Sequence, residues 1–201
     1  MIKTILQAKQ KQKPARQNLG ISGEKVLRKQ AIEVPVIEIK TQKIKNVLKE
    51  MSAALNSQDD GVALAAPQIG YSLRIFVVSG KIFAPDFARV RAAKILAEEE
   101  PSETLQKKEK IKDLVFINPK ISKLSREKEW VPEGCLSVRW LYGKTLRSKK
   151  ATVIAYDENG KKFTRGASGF LAQIFQHETD HLEGILFIDH AKDIKEELPA
   201  K

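Results

Sequence analysis

Residues 168–185 read SGFLAQIFQHETDHLEGI, and this stretch decides the fold. Its apolar residues recur at the spacing of a helix that buries one face. They are Leu171, Ile174, Phe175, Leu182 and Ile185. Ser168 is a suitable N-cap, and Gly184 is a suitable residue just beyond the last turn. The stretch therefore predicts a helix whose apolar stripe belongs to the core.

The same helix carries two histidines four residues apart. His177 and His181 lie one turn from each other, so both imidazoles can reach one metal ion. Glu178 lies about 100° round the helix from His177, so it can miss the metal and still reach a water molecule beside it. The alternative to a metal site is that two of the three histidines of the chain are core or surface residues with this spacing by chance. The adjoining glutamate favours a metal site.

A tetrahedral metal with one open position needs a third protein ligand. Glu183 and His190 are the candidates downstream of the helix motif. His190 lies beyond Gly184 in a predicted strand or tail, which favours a surface histidine. Cys135 is the better candidate, because a bound metal removes its proton and leaves a thiolate. Taken alone, however, one buried cysteine is more often inert packing.

The composition suits one globular domain, with 201 residues of which 42% are hydrophobic. The formal net charge of +11 favours acidic partners, nucleic acid above all, or else a solvated basic surface. Cys135 is the only cysteine, which excludes an intrachain disulfide and a secreted disulfide scaffold. The N-terminus lacks the apolar core of a signal peptide, and no apolar run approaches the ~20 residues that span a bilayer. We therefore expect a soluble cytoplasmic protein that does not bind membranes.

Composition shifts divide the chain. Residues 1–23 are polar and basic and predict a flexible or loosely docked arm. Residues 24–201 predict a single domain. Within it, residues 84–113 are rich in charge and predict a helical excursion on the surface.

The secondary-structure pattern of this domain mixes one early helix with several strands. Apolar spacing predicts an amphipathic helix over residues 41–56. Short apolar runs predict strands at residues 75–78 and 151–156, and Asn159-Gly160 predicts a hairpin turn after the second of them. The pattern indicates an α+β fold, in which antiparallel β-sheets wrap around the C-terminal helix that carries the two histidines.

Three sequence blocks together resemble one enzyme family. Residues 133–137 read EGCLS, residues 177–181 read HETDH, and residues 61–68 read GVALAAPQ. They match, in the family's order, the signatures E-G-C-L-S, H-E-x-D-H and G-φ-G-φ-A-A-P-Q of the peptide deformylases. The helix motif alone is a weak signal, whereas the three blocks together are highly specific.

The resemblance implies a role for each matching residue. Cys135, His177 and His181 would be the metal ligands, and Glu178 the general acid and base. Gln68 and the backbone N–H of Leu136 would donate to the developing oxyanion. The backbone edge that pairs with the substrate would consist of Gly61, Val62, Ala63 and Leu64. Arg147 would pair with Glu133 in a structural role.

The implied reaction is removal of the formyl group from the N-terminal formyl-methionine of nascent polypeptides, with release of formate. The resemblance implies one divalent metal ion, Fe²⁺ in the cell, while the ligands would also suit Zn²⁺, Ni²⁺ or Co²⁺. Together with the basic charge it suggests association with the ribosome. No DNA partner is expected.

The sequence departs from the family pattern at Ala63, where the family usually has glycine. An added methyl group disfavours positive φ and narrows a peptide cleft, so we expect altered substrate fit rather than lost chemistry. Two other functions stay open at this point. One is a zinc peptidase, which needs a third ligand downstream of His181. The other is a catalytically inactive deformylase-like protein that binds RNA or the ribosome.

Overall fold

The computed structural model describes residues 5–6, 8–10, 21–23, 25–87 and 111–198. Most of the predicted arm at residues 1–23, and most of the predicted insertion at residues 84–113, lie outside the described residues. Strand β1 (Ala8–Gln10) pairs antiparallel with β2 (Ile21–Gly23), and Ile5 is buried in the core.

Two antiparallel sheets form the framework. The larger sheet has the strand order β3-β4-β5-β8-β9. Its strands are β3 (Ala63–Ala65), β4 (Ile75–Val78), β5 (Leu114–Leu124), β8 (Lys150–Tyr156) and β9 (Lys162–Ser168). The smaller sheet has the order β10-β7-β6. Its strands are β6 (Lys128–Cys135), β7 (Val138–Ser148) and β10 (Lys192–Glu196).

Both predicted helices are present. Helix α1 (Gln42–Asn56) begins after Thr41, whose hydroxyl accepts a hydrogen bond from Ile44 N. Helix α2 (Gly169–Leu182) begins after Ser168, but the Ser168 side chain makes no capping bond. Gly184 lies just beyond α2, as expected, and has a φ of +75°. Glycine is required there because a Cβ would lie 2.8 Å from the backbone of Arg28.

Helix α2 contacts strands of both sheets and so occupies the centre of the molecule. The aromatic rings beneath it are tightly packed, with centroids 4.5 Å apart for Phe76 and Phe116 and 5.1 Å apart for Phe116 and Phe175. The predicted α+β fold, with antiparallel sheets around the C-terminal helix, is confirmed. Among the described residues, no helix is long and apolar enough to span a membrane.

Asn118 is one of three non-glycine residues of the described strands that have a positive φ, together with Trp140 and Asp193. Asn118 has a φ of +52°, at a register shift of β5. Its side-chain amide accepts a hydrogen bond from Val34 N at 2.8 Å and donates one to Val34 O at 2.7 Å. These two buried bonds stabilise the left-handed backbone, which asparagine tolerates better than most residues.

Candidate metal centre

Helix α2 and the end of strand β6 bring the three predicted ligands together. The ligand atoms of Cys135, His177 and His181 all lie within 4.8 Å of one another. Cys135 Sγ lies 3.2 Å from His181 Nε2, and the two imidazole centroids are 4.9 Å apart. In the part of the chain that the structure describes, this is the one group of His, Cys, Asp or Glu side chains close enough to hold a metal ion.

Cys135 reaches α2 because the β6–β7 hairpin turns tightly beside it. Cys135 pairs with Val138, so Leu136 and Ser137 form the turn. The Ser137 backbone N–H donates to Cys135 Sγ at 3.4 Å. The turn therefore fixes the position of the sulfur and places the Leu136 backbone next to it.

The buried carboxylate of Glu133 orients His177. Glu133 Oε1 lies 2.7 Å from His177 Nδ1 and accepts a hydrogen bond from Arg147 Nη2 at 2.7 Å. Glu133 Oε2 accepts bonds from Thr145 Oγ1 at 2.6 Å and Arg147 Nε at 3.0 Å. Burial alone would raise the pKa of Glu133, but its bonds and charge interactions with His177 and Arg147 hold that pKa well below its usual range. A ligand histidine held through Nδ1 presents Nε2 to a metal.

The electrostatics of the two histidines differ. Burial alone would lower the pKa of His177, but its contacts with Cys135 and Glu133 raise that pKa well above the usual value. Burial, with the charge of His177 next in size, lowers the pKa of His181. His181 Nδ1 is buried and has no hydrogen-bond partner among the described residues. Two imidazoles and a thiolate, with one histidine already oriented by a carboxylate, form a donor set that fits a divalent metal ion.

Glu178 lies beside this group but outside it. Its side chain is buried, and Oε2 accepts no hydrogen bond from any described residue. Burial raises the pKa of Glu178 to about 7, against the opposing effect of the His177 charge. A buried carboxyl group with a pKa near neutrality can take up and release a proton.

Gln68 points its amide nitrogen toward the cysteine. It lies in the 3₁₀ turn Ala66–Ile69 that follows β3, and its Oε1 accepts a hydrogen bond from Ala65 N at 2.7 Å. Its Nε2 donates to Ser137 Oγ at 3.1 Å and lies 3.8 Å from Cys135 Sγ. The bond from Ala65 fixes which end of the amide faces the site.

A cavity of about 500 Å³ is lined by two of the predicted ligands, Cys135 and His177, and by Glu178. Strand β3 forms one wall, helix α2 another, and the β6–β7 hairpin the third. Of the predicted substrate-binding residues, Gly61, Val62 and Ala63 line the cavity. The side chain of Leu64 instead lies in the core. Four aromatic side chains also line the cavity, namely Phe87, Trp140, Tyr142 and Phe170.

Arg139 joins two walls of this cavity through contacts that the sequence does not predict. Its guanidinium donates to Asp60 Oδ2 at 2.6 Å and to Gln58 Oε1 at 2.6 Å. Arg139 belongs to the β6–β7 hairpin, whereas Gln58 and Asp60 precede β3. Arg139 is 79 residues from Asp60 and 81 residues from Gln58 in sequence, and no short motif links it to them.

The two downstream ligand candidates are not part of the group. Glu183 is exposed and forms an ion pair with Arg74 at 2.7 Å. His190 is exposed and lies 3.9 Å from Asp180 Oδ2. A peptidase site with a downstream third ligand therefore has no support in this geometry.

This fold and this site place the protein in the class of metal-dependent hydrolases. The family model described as polypeptide deformylase matches residues 17–197. The chain is 37% identical over 175 residues to peptide deformylase 2 of Clostridium acetobutylicum, covering 87% of this chain and 95% of the relative. It is 36% identical over 165 residues to the peptide deformylase of Borreliella burgdorferi, covering 79% and 83%.

Solved structures agree with this likeness. A class I type b peptide deformylase from Acinetobacter baumannii aligns with a TM-score of 0.67 and 26% identity, covering 93% of this chain and 99% of that one. The peptide deformylase of Synechococcus elongatus in complex with actinonin aligns with a TM-score of 0.63 and 30% identity, covering 85% and 75%.

The chain belongs to the polypeptide deformylase family. It is a metal-dependent enzyme that removes the N-formyl group from the N-terminal formyl-methionine of nascent polypeptides. The comparisons favour this activity over the zinc peptidase and over the inactive binding protein.

Replacing Arg147 with leucine is expected to destabilise the protein by about 3–5 kcal/mol, because it removes the guanidinium that donates two hydrogen bonds to the buried Glu133 carboxylate. Arg147 also bonds Asp180 Oδ2 at 2.7 Å, so the change removes a link between β7 and α2. Urea unfolding of the metal-free protein measures the effect. Arg165→Leu, at a partly exposed arginine of β9, is the matched control. Equal stability of Arg147→Leu and wild type would contradict the structural role.

Proposed function

We propose that Cys135, His177 and His181 bind the single divalent metal ion and that Glu178 is the general acid and base of deformylation. The observation that supports this most directly is that the three ligand atoms lie within 4.8 Å of one another, next to Glu178, whose Oε2 atom is buried without a hydrogen-bond partner among the described residues. A bound divalent ion supplies Lewis acidity and lowers the pKa of a water molecule toward neutrality.

Proton transfer is assigned to Glu178. Its carboxylate accepts the proton of the attacking water and returns it to the amine nitrogen as the carbon–nitrogen bond of the formamide breaks. The burial that raises the pKa of Glu178 to about 7 matches both halves of this task near neutral pH. Formate and the free N-terminal amine are the products.

The developing oxyanion is assigned to two donors next to Cys135, the Gln68 side chain and the Leu136 backbone. Gln68 Nε2 is held in place by the bond from Ala65 N to Gln68 Oε1. The backbone N–H of Leu136 belongs to the turn that immediately follows Cys135. Donors fixed before the reaction stabilise charge without reorganising, which is the usual source of oxyanion stabilisation.

The free edge of strand β3 is assigned to the substrate backbone. Val62 O accepts a hydrogen bond from Ser79 N, so Val62 faces the neighbouring strand. Backbone groups alternate along a strand, so those of Ala63 face the opposite way, like the Ala65 N–H that donates to Gln68. An extended formyl peptide can add to this edge by strand pairing. Gly61 extends the proposed backbone edge before Val62. Leu64 pairs with Val77 of β4, so by the same alternation its backbone groups face β4, as those of Val62 do.

Ala63→Gly is expected to change the KM for formyl peptides while leaving kcat unchanged, because the methyl group lines the cavity without belonging to the proton-transfer residues. Ala63 lies in a strand and is not among the described residues with positive φ, so alanine fits there without strain. The glycine variant should also lose about 0.5–1 kcal/mol of stability. Steady-state kinetics and thermal unfolding test this, with Ala167→Gly in β9 as the matched control. A large fall in kcat would contradict the assignment.

We propose Fe²⁺ as the physiological metal, with Zn²⁺, Ni²⁺ or Co²⁺ as replacements. The soft thiolate and two imidazoles suit all four ions. The test is metal analysis of protein purified without oxygen, followed by formate assays of metal-free protein loaded with each ion separately. Iron at one equivalent is expected. Zinc as the sole metal under these conditions would contradict iron, and formate release by fully metal-free protein would contradict the proposed site.

The domain organisation is proposed as a single catalytic domain over residues 24–201, preceded by a basic arm at residues 1–23 and carrying a helical surface insertion at residues 84–113. The family match to residues 17–197 supports one catalytic unit. Its proposed location is the cytoplasm, because nascent formylated chains are the substrate.

The protein is also proposed to associate with the ribosome, which the net charge of +11 favours. Pelleting through a sucrose cushion with ribosomes measures this. Binding is expected at low salt and should weaken steeply as the salt concentration rises, because phosphate contacts release counterions. Salt-insensitive pelleting, or no pelleting, would count against ribosome association.

A further inference from the structure

The smaller sheet exposes a surface that has no role in the proposed chemistry, although Tyr142 at its edge also lines the catalytic cavity. We name it the basic aromatic face and define it by Lys128, Trp130, Tyr142, Lys144, Leu146 and Lys192. Trp130 is 45% exposed, Leu146 44% and Tyr142 36%. Large apolar side chains exposed together are uncommon on a surface without a partner.

Strand register places these side chains on one side of the sheet. Trp130 pairs directly with Leu146, and Lys144 pairs with Lys192 across the other edge of β7. Lys192 Nζ lies 4.6 Å from the centroid of the Trp130 ring, so both project from the same side. The alternate residues of β7 point inward, as the buried Thr145 shows.

The charge of this face is positive. It carries three lysines, and the Lys144 side chain is 60% exposed. Asp193 Oδ2 lies 3.7 Å from Lys144 Nζ and offsets part of this charge. An exposed pair of that length in water contributes little, so Lys144 remains available to an anionic partner.

We infer that the basic aromatic face binds single-stranded RNA. Exposed aromatic rings stack on unpaired bases, and neighbouring lysines attract the phosphates. Trp130 lies opposite Leu146, four residues from Tyr142 along β7, so the backbone positions of the two rings are about 13 Å apart. Lys144 lies between them. In a duplex the bases are stacked inside and cannot reach such rings.

The face adjoins the opening of the catalytic cavity. Tyr142 belongs to the face and also lines the cavity. Pro132, the strand partner of Lys144, lines the cavity as well. Ribosomal RNA bound at this face would hold the opening of the catalytic cavity close to the place where a formylated chain emerges from the ribosome. This inference deepens the proposed ribosome association and rests on it, whereas the deformylation chemistry does not depend on the face.

The test measures fluorescence anisotropy of a labelled single-stranded RNA oligonucleotide with metal-loaded protein. The double variant Lys144→Gln/Lys192→Gln is compared with Lys43→Gln/Lys45→Gln, which removes the same charge from exposed positions of α1. The face variant should reduce the salt dependence of log Kd by about 1.4, that is about 0.7 for each of two phosphate contacts. The α1 variant should leave that slope nearly unchanged.

The aromatic contribution is tested separately. Trp130→Ala should weaken RNA binding at least about fivefold, and Trp130→Phe should restore most of it, because stacking needs a ring rather than an indole. Equal losses in both lysine variants, or no effect of Trp130→Ala, would overturn the inference. So would binding of vesicles rich in anionic lipid with no binding of RNA.

Two parallel readings separate this inference from the proposed function. Formate release from formyl-Met-Ala-Ser should be the same in all these variants and in wild type. If ribosome pelleting survives the face variant unchanged, the ribosome proposal stands and the assignment of this face fails. Absence of formate release by wild type would instead contradict the catalytic site.

Discussion

Glu178→Gln is expected to lower kcat for formate release by about 10²–10⁴-fold while one metal ion per chain stays bound. Glutamine keeps the shape of the side chain but cannot take a proton from water and return it to the departing amine. Glu178 is not among the three clustered ligand atoms, so the metal site should survive the change. Steady-state formate assays with metal analysis of the same sample measure both effects.

The matched control is Glu183→Gln. Glu183 lies five residues further along, is exposed, and pairs with Arg74 rather than with the ligand group. Its replacement should leave kcat unchanged. Full turnover by Glu178→Gln would contradict its proton-transfer role. A large loss of kcat in Glu183→Gln would instead indicate that this downstream residue is a metal ligand.

Cys135→Ala is expected to abolish both metal binding and turnover. The change leaves two imidazoles, and it removes the thiolate that offsets the charge of a divalent ion. Extensive dialysis followed by metal analysis should find close to one equivalent in wild type and almost none in the variant. Formate release should be absent even at saturating substrate.

The control for this change is His190→Ala. His190 is the third histidine of the chain, but it is exposed and lies outside the ligand group. It should retain metal and activity. One tightly held equivalent of metal in Cys135→Ala, or loss of metal in His190→Ala, would show that the ligands are misassigned.

Local patterns predicted the elements that carry the site. The helical spacing of residues 168–185 gave α2 and placed His177 and His181 on one turn, because a helix has a fixed period. The turn of the β6–β7 hairpin after Cys135 then holds the cysteine against the helical turn that carries the two histidines. The pairing of distant blocks came from the resemblance to a family, since periodicity alone does not say which strand contacts which helix.

Other features depend on contacts that no local pattern encodes. The left-handed backbone of Asn118 is stabilised by two bonds to Val34, which is 84 residues away in sequence. The Arg139 bridge to Gln58 and Asp60 likewise joins separate segments. Ser168 has the residue type of an N-cap, yet its side chain makes no capping bond. Residue type gives a preference, and tertiary packing decides whether it is used.

The most direct test of metal-dependent deformylation is product analysis of formyl-Met-Ala-Ser. The peptide is incubated with protein that has been purified without oxygen and assayed for metal. Equimolar formate and intact Met-Ala-Ser are expected, with release that depends on bound metal and is nearly absent in Glu178→Gln. Acetyl-Met-Ala-Ser serves as the control substrate, and its deacetylation should be much slower than deformylation of the formyl peptide. Cleavage of the internal peptide bonds, or one bound metal without formate, would contradict the assigned chemistry.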